Sequence, residues 1–129
     1  MLVRYLFFLI LSHIYCNPTI QKTKDLILGL LSSSGLEYSI NGDLTYGMPN
    51  TINISFKGVN SEALMLATRQ FCAVSNGSAC NSHSYKPSHV LTAMGLDSDR
   101  IESAIRISWG VVHDISYEIK ELIKIANCL

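Results

Sequence analysis

Residues 51–56, TINISF, alternate strictly between polar and apolar side chains. Successive residues of a β-strand point to opposite faces of its sheet, so this segment predicts a half-buried strand with Ile52, Ile54 and Phe56 on one face. Residues 104–109, AIRISW, alternate in a similar way. Both segments are therefore predicted strands of one small sheet.

Helical patterns are interleaved with these strands. Residues 17–35 predict a helix in which Asn17 is the cap, Pro18 takes the first helical position and Gly35 lies beyond the end. Further helices are predicted within 60–71, 87–94, 97–103 and 114–129, and short strands at 36–40, closed by the turn residues Asn41 and Gly42, and at 72–75. The order predicts an α/β fold, a small mixed sheet with helices packed on it.

Length and charge limit the classes of function. The chain has 129 residues, which fits one domain with a sizeable core. Ten basic residues balance ten acidic ones, so no net charge attracts the chain to nucleic acid or to an anionic membrane. We therefore expect no direct nucleic-acid partner and no membrane partner.

The first sixteen residues, MLVRYLFFLILSHIYC, differ from the rest. Arg4 followed by the apolar residues 5–11 resembles the start of a signal peptide, although the small residues of a cleavage site are missing. The apolar run is too short to span a bilayer. A signal peptide, a buried helix and a fortuitous start all remain open on the pattern alone.

Cys80 lies in the polar segment 75–88, SNGSACNSHSYKPS, where a buried thiol is not expected. A disulfide, a metal ligand, a reactive nucleophile and chance are the alternatives. The four cysteines allow three pairings, but their spacings match no small disulfide scaffold.

A zinc site is a further alternative, since Cys72, Cys80, His83 and His89 lie close together in the sequence. Zinc ligands are usually paired two to four residues apart, and Cys72 and Cys80 are not. Cys72 also falls at a predicted helix–strand junction, where burial in the core is more natural. A Cys80–His83 nucleophile and base cannot be judged from sequence proximity.

Arg106 lies within the alternating strand 104–109. A guanidinium on such a strand either points to solvent or binds a carboxylate in bidentate fashion. The residues alone favour the solvent alternative.

Several ordered blocks together carry a resemblance to a known family. Residues 73–96, AVSNGSACNSHSYKPSHVLTAMGL, and 103–110, SAIRISWG, follow INGD at 40–43, PNTINISF at 49–56 and SEALMLAT at 61–68. This arrangement resembles the C-terminal small domain of cysteine desulfurases, fold-type I enzymes of the class V aminotransferase superfamily that use pyridoxal phosphate. Asn76, Asn81 and Lys86 depart from the family pattern, and the loop resembles the branch that serves DNA phosphorothioation.

The resemblance implies a role for two residues. Cys80 would take sulfur from L-cysteine as a persulfide, with release of alanine, and Arg106 would bind the substrate carboxylate. The implied partners are L-cysteine, a large pyridoxal-phosphate domain or homodimer mate, and a sulfur-acceptor protein. The sulfur would serve iron–sulfur assembly, thio-modification or DNA phosphorothioation.

The resemblance also implies a domain division. Residues 1–18 match nothing in the family, residues 19–129 correspond to the small domain, and the large domain with its Schiff-base lysine has no counterpart here. Lys86 is not assigned to that role. We expect a cytoplasmic product of a split or truncated gene that binds no cofactor covalently and is inactive alone. A non-enzymatic sulfur carrier or interaction module, and an inactive truncated product, are the alternatives.

Overall fold

A computed structural model describes residues 17–76, 87–111 and 114–129. The N-terminal segment 1–16 and the residues around Cys80 lie outside these ranges. The helices and strands of the described residues are α1 (Pro18–Ser32), β1 (Tyr38–Ile40), β2 (Thr51–Phe56), α2 (Ser61–Thr68), β3 (Ser75–Asn76), α3 (His89–Ala93), α4 (Ser98–Glu102), β4 (Ala104–Ser108) and α5 (Ser116–Ala126).

The strands form one sheet in the order β1-β2-β4-β3. Each of its three ladders is antiparallel, where the sequence predicted a mixed sheet. Strands β2 and β3 both run antiparallel to β4, so they run in the same direction as each other, and α2 connects them. The chain therefore crosses from β2 to β3 through a helix, as the interleaved order suggests. In the sheet, β4 lies between these two strands. The predicted α/β fold with helices on a small sheet is confirmed.

The apolar face of the sheet forms the core. Ile52, Ile54 and Phe56 are at most 3% exposed, and Ile54 and Ile52 face Ile105 and Ile107 across the β2–β4 ladder. Helices α1, α2 and α5 contribute buried residues to the same cluster: Ile27, Leu31, Leu64, Ile119, Leu122, Ile123 and Ala126. All the alternating apolar residues of β2 thus lie on the buried face that their spacing predicts.

Local capping explains where the helices begin. The Asn17 side chain accepts a hydrogen bond from the Thr19 amide at 2.9 Å, and Asn60 accepts from the amides of Glu62 and Ala63 at 3.0 Å. Such bonds satisfy backbone donors that have no partner within the helix. The helix predicted to follow Asn17 and the helix predicted within 60–71 are confirmed.

Two segments differ from the sequence-based expectation. The strand predicted at 72–75 begins only at Ser75, because the amides of Phe71 and Cys72 both bond to the Thr68 carbonyl and extend the end of α2 by a turn. The expected turn at Asn41 and Gly42 is the start of a longer connection, residues 41–50, between β1 and β2.

Hydrogen bonds hold this connection in place. The Asp43 carboxylate accepts from the amides of Thr45 and Tyr46, and the buried Lys24 ammonium donates to the Leu44 carbonyl. The two amide bonds hold the pKa of Asp43 below its usual value. The connection is thus a structured turn that is attached to α1.

Replacing Ile54 by Ala is expected to lower the free energy of unfolding by about 2–5 kcal/mol, because the side chain is fully buried and its loss leaves a cavity. Leu66→Ala is the control, since Leu66 is 61% exposed and its change should stay within about 0.5 kcal/mol. Urea denaturation measures both. Equal effects of the two substitutions would contradict the assigned core.

Two glycine substitutions are expected to have opposite signs. Gly29→Ala should stabilise the chain by about 0.5–1 kcal/mol, because Gly29 lies inside α1 and an added Cβ would contact nothing. Gly47→Ala should destabilise it by about 1 kcal/mol or more, because its Cβ would lie 2.5 Å from the Asp43 carbonyl oxygen, to which the Gly47 amide donates. Thermal unfolding of both variants checks the signs, and a stabilised Gly47→Ala would contradict the described turn.

Candidate functional site

The second face of the sheet is polar. In the antiparallel register Ser39 lies opposite Ser55, Thr51 opposite Ser108, and Arg106 between Asn53 and Ser75. The Thr51 and Ser108 hydroxyl oxygens are 3.2 Å apart, as expected for opposed side chains on one face. We call this surface, formed by Ser39, Thr51, Asn53, Ser55, Ser75, Arg106 and Ser108, the polar face.

Arg106 stands in the middle of the polar face. It is exposed, while its neighbours in β4, Ile105 and Ile107, are buried in the core. Within residues 17–76, 87–111 and 114–129, its guanidinium makes no hydrogen bond or ion pair. The guanidinium therefore has donors available for an anion, and no carboxylate of the described residues occupies them.

Cys80 lies outside the described residues, and so do His83 and Lys86. The described chain reaches that segment from β3, whose Ser75 is the register partner of Arg106. It resumes at Pro87, just before α3, where Ser88 is the cap and His89 is exposed. The segment that contains Cys80 therefore follows in the chain from β3, the strand that pairs with Arg106.

Two other thiols are placed by the structure. Cys72 is half-buried between α2 and β3 and packs against the core, as its position in the sequence suggested, whereas Cys128 is exposed. Burial raises the pKa of the Cys72 thiol, the nearby Glu118 carboxylate raises it further, and a hydrogen bond with Thr68 partly opposes this. A raised pKa keeps Cys72 in its unreactive thiol form near neutral pH.

The four residues weighed as zinc ligands are not brought together by the described part of the chain. Only Cys72 and His89 fall within it, one against the core and the other exposed on α3. No group of three or more histidine, cysteine or acidic side chains that could hold a metal ion occurs among the described residues.

Among the described residues, no helix has both the length and the apolar character needed to cross a membrane.

A buried polar network adjoins the polar face, and the sequence analysis did not predict it. The Arg100 guanidinium donates from Nε to Asn41 Oδ1 at 2.7 Å and from Nη2 to the Ile40 carbonyl at 2.8 Å. Asn41 Nδ2 in turn donates to Asn53 Oδ1 and to Ser55 Oγ, both at 2.7 Å. Arg100 and Ser55 also line a surface groove of about 590 Å³.

Local sequence signals could not have found this network. The Asn41–Gly42 pair is typical of a turn, yet Asn41 is only 8% exposed. Its side-chain amide is hydrogen-bonded to two residues of β2 and to Arg100. Arg100 is 59 positions away in the sequence and lies in a short helix that shows no apolar stripe of its own. Only the register of β1 on β2 and the position of α4 beside them bring the residues together.

The chain is similar to cysteine desulfurases over 65% to 74% of its length. It is 43% identical over 97 residues to a protein of Bacillus subtilis (strain 168) named IscS 1, and 45% identical over 87 residues to the cysteine desulfurase IscS of Escherichia coli O139:H28. These matches cover 74% and 65% of this chain. No protein-family profile matches it.

Solved structures of NifS-like proteins have a similar fold to this chain. A NifS-like protein superposes with a TM-score of 0.68 at 25% identity, and covers 85% of this chain. The chain is homologous to a C-terminal-like part of the cysteine desulfurases. A NifS-like protein from Rickettsia africae, with a TM-score of 0.67 at 23% identity, shares the fold. The resemblance predicted from the sequence blocks is thereby confirmed, while the phosphorothioation branch stays a prediction.

The match covers only a small part of each relative. The chain spans 26% of the Bacillus relative, 21% of the Escherichia relative and 28% of the NifS-like structure. What the relatives do as whole proteins is therefore a proposal for this chain.

The described residues do not fit a covalent pyridoxal phosphate site, the cofactor that the resemblance implies. A Schiff base needs a lysine beside the bound substrate. No lysine lies on any of the four described strands; Lys24 is buried in α1 against the Leu44 carbonyl, and Lys57 pairs with Glu37 beyond the end of β2. The polar face offers Arg106 to a substrate, but no described lysine next to it.

In the folded chain, iodoacetamide is expected to alkylate Cys72 about tenfold more slowly than Cys128 at pH 8, because Cys72 is half-buried and its raised pKa limits the thiolate. In the unfolded chain Cys72 has the ordinary thiol pKa, which is lower than in the folded chain. The contribution of Cys72 to the free energy of unfolding should therefore fall as the pH rises above about 8.5.

Peptide mass mapping after timed alkylation measures the alkylation rates of Cys72 and Cys128. Equal rates in the folded chain would contradict the placement of Cys72.

Proposed function

We propose that this chain acts as the small domain of a cysteine desulfurase, to which it contributes Cys80 and Arg106. Cys80 accepts sulfur from L-cysteine as a persulfide, alanine is released, and the sulfur passes to an acceptor protein. The acceptor serves iron–sulfur assembly, thio-modification or DNA phosphorothioation. Pyridoxal phosphate and its lysine belong to a large domain that corresponds to the part of the relatives that this chain does not match, and the reaction is cytoplasmic.

The unpaired guanidinium of Arg106 is the observation that carries this proposal. The backbone of Arg106 is held in place because its neighbours in β4 are buried. Its guanidinium makes no hydrogen bond or ion pair with the described residues. A guanidinium presents two parallel N–H groups that match the two oxygens of a carboxylate. L-cysteine carries such a carboxylate, and relatives 43–45% identical to this chain are named cysteine desulfurases.

The chemistry assigned to Cys80 needs a thiolate with access to two partners. The thiolate attacks the sulfur of L-cysteine, an S–S bond forms, the Cβ–S bond breaks, and the carbon keeps the electron pair and takes a proton to give alanine. A segment rich in serine, asparagine and glycine, such as 75–88, solvates a thiolate better than a core does. Cys72 is a poorer candidate for the same step, because burial raises the pKa of its thiol.

The proposal is tested by restoring alanine release from L-cysteine. The full chain is added, with pyridoxal phosphate, to the separately expressed portion of the Bacillus relative that it does not match. We expect alanine release with the wild-type chain and with Cys128→Ser, and none with Cys80→Ser. Arg106→Gln should lower kcat/KM by roughly 100-fold, because two charge-assisted hydrogen bonds are lost.

The matched portion of the Bacillus relative, added in the same way, is the positive control for restoration. Restoration by that portion but not by this chain would contradict the proposal. Undiminished activity of Cys80→Ser would contradict the role of Cys80, and undiminished activity of Arg106→Gln would contradict the carboxylate site.

A further inference from the structure

Asn53 and Arg106 form the closer type of cross-strand pair. The Phe56 amide donates to the Ser103 carbonyl, and the Trp109 amide donates to the Asn50 carbonyl, so these two residue pairs are hydrogen-bonded across the β2–β4 register. Hydrogen-bonded and non-hydrogen-bonded pairs alternate along an antiparallel ladder. Asn53 and Arg106 are therefore a non-hydrogen-bonded pair, whose Cβ atoms are typically about 4.5–5.5 Å apart.

The orientation of the Asn53 amide is fixed from a distance. The Arg100 guanidinium can only donate, so the Asn41 atom that faces it must be the acceptor Oδ1. Asn41 Nδ2 then faces Asn53 and Ser55, and the Asn53 atom that receives its hydrogen bond must be Oδ1. Asn53 Nδ2 is consequently directed away from Asn41.

The remaining donor of Asn53 is unused. Among the described residues, Nδ2 has no hydrogen-bond partner, and it is not one of the fully buried polar atoms that lack one. It is thus an accessible N–H₂ group on the residue directly opposite the free guanidinium of Arg106. Both groups are donors, so they can donate to one anion together.

We infer that Asn53 is a second ligand of the carboxylate held by Arg106, and that Arg100 is a positioning residue that aims the Asn53 donor through Asn41. The inference rests on the proposed function, which supplies the carboxylate. The Nε and Nη2 groups of Arg100 are bonded to Asn41 and to the Ile40 carbonyl, so Arg100 acts on the ligand through Asn41 and Asn53. Arg100 and Asn41 thereby influence how the substrate is held without contacting it.

The ligand contact is tested on the full chain by NMR titration with L-alanine, which shares the carboxylate of L-cysteine and lacks its thiol. The Asn53 side-chain amide and the Arg106 Nε resonances are expected to shift along one common saturation curve. Asn53→Ala should weaken L-alanine binding about tenfold, the loss of one hydrogen bond to a charged group. Lys57→Met is the charge control, because Lys57 lines the same groove as Arg100 and takes no part in the network.

The positioning role is tested by two substitutions of Arg100. Arg100→Lys keeps a side chain that can only donate, so the amide orientations and L-alanine affinity should stay near those of the wild type. Arg100→Met keeps the length but not the donor, and affinity should fall about fivefold to tenfold. Without ligand, the side-chain amide resonances of Asn41 and Asn53 should move in Arg100→Met and not in Arg100→Lys, while the backbone spectrum shows that both variants are folded.

The outcomes separate this inference from the proposed function. If Arg106 shifts with L-alanine while Asn53 does not, or if Arg100→Met binds as the wild type does, the network has no part in carboxylate binding and the inference is overturned. If neither resonance shifts, or if Arg106→Gln leaves the shifts of other residues unchanged, the carboxylate site itself is overturned, and the proposed role of Arg106 with it.

Discussion

Strand β2 pairs with β4 along the whole length of β4, and this ladder separates the apolar core from the polar face. Its register places Ile52 and Ile54 opposite Ile107 and Ile105 on one side, and Asn53 opposite Arg106 on the other. A slip by one residue would turn the isoleucines to solvent and bury the arginine. The burial of the isoleucines against α1, α2 and α5 therefore fixes Arg106 on the polar face.

The same sheet explains why a polar network exists beside an apolar core. Asn41 and Ser55 are at most 8% exposed, and polar groups at that depth destabilise a fold unless they are hydrogen-bonded. Arg100 supplies the donor that Asn41 Oδ1 needs, and the Ser55 hydroxyl donates to the Arg100 carbonyl at 2.6 Å. α4 is thus joined to β1 and β2 by hydrogen bonds on this side, while its Ile101 packs against Leu91 and Ala104 in a small separate cluster.

What could be predicted from the sequence is what depends on neighbouring residues. The alternation in 51–56 and the cap at Asn17 are set within a few positions, and the structure places both as expected. Strand order, antiparallel direction and the Arg100–Asn41 contact depend on residues far apart in the chain, which no local pattern encodes. The exposure of Arg106 followed from periodicity, but its carboxylate role came from the family resemblance, and that of Cys80 did too; both stay proposals.

Two arginines with the same chemistry have opposite parts in this arrangement. The Arg100 Nε and Nη2 groups donate to a side-chain amide and a backbone carbonyl, so this residue acts on structure. The Arg106 donors find no acceptor among the described residues, so this residue is free to act on a ligand. Because both side chains carry the same guanidinium, the difference between them lies in the surrounding acceptors. The register of β2 on β4 and the connection at 41–50 set those acceptors, and so they decide which arginine is available to bind.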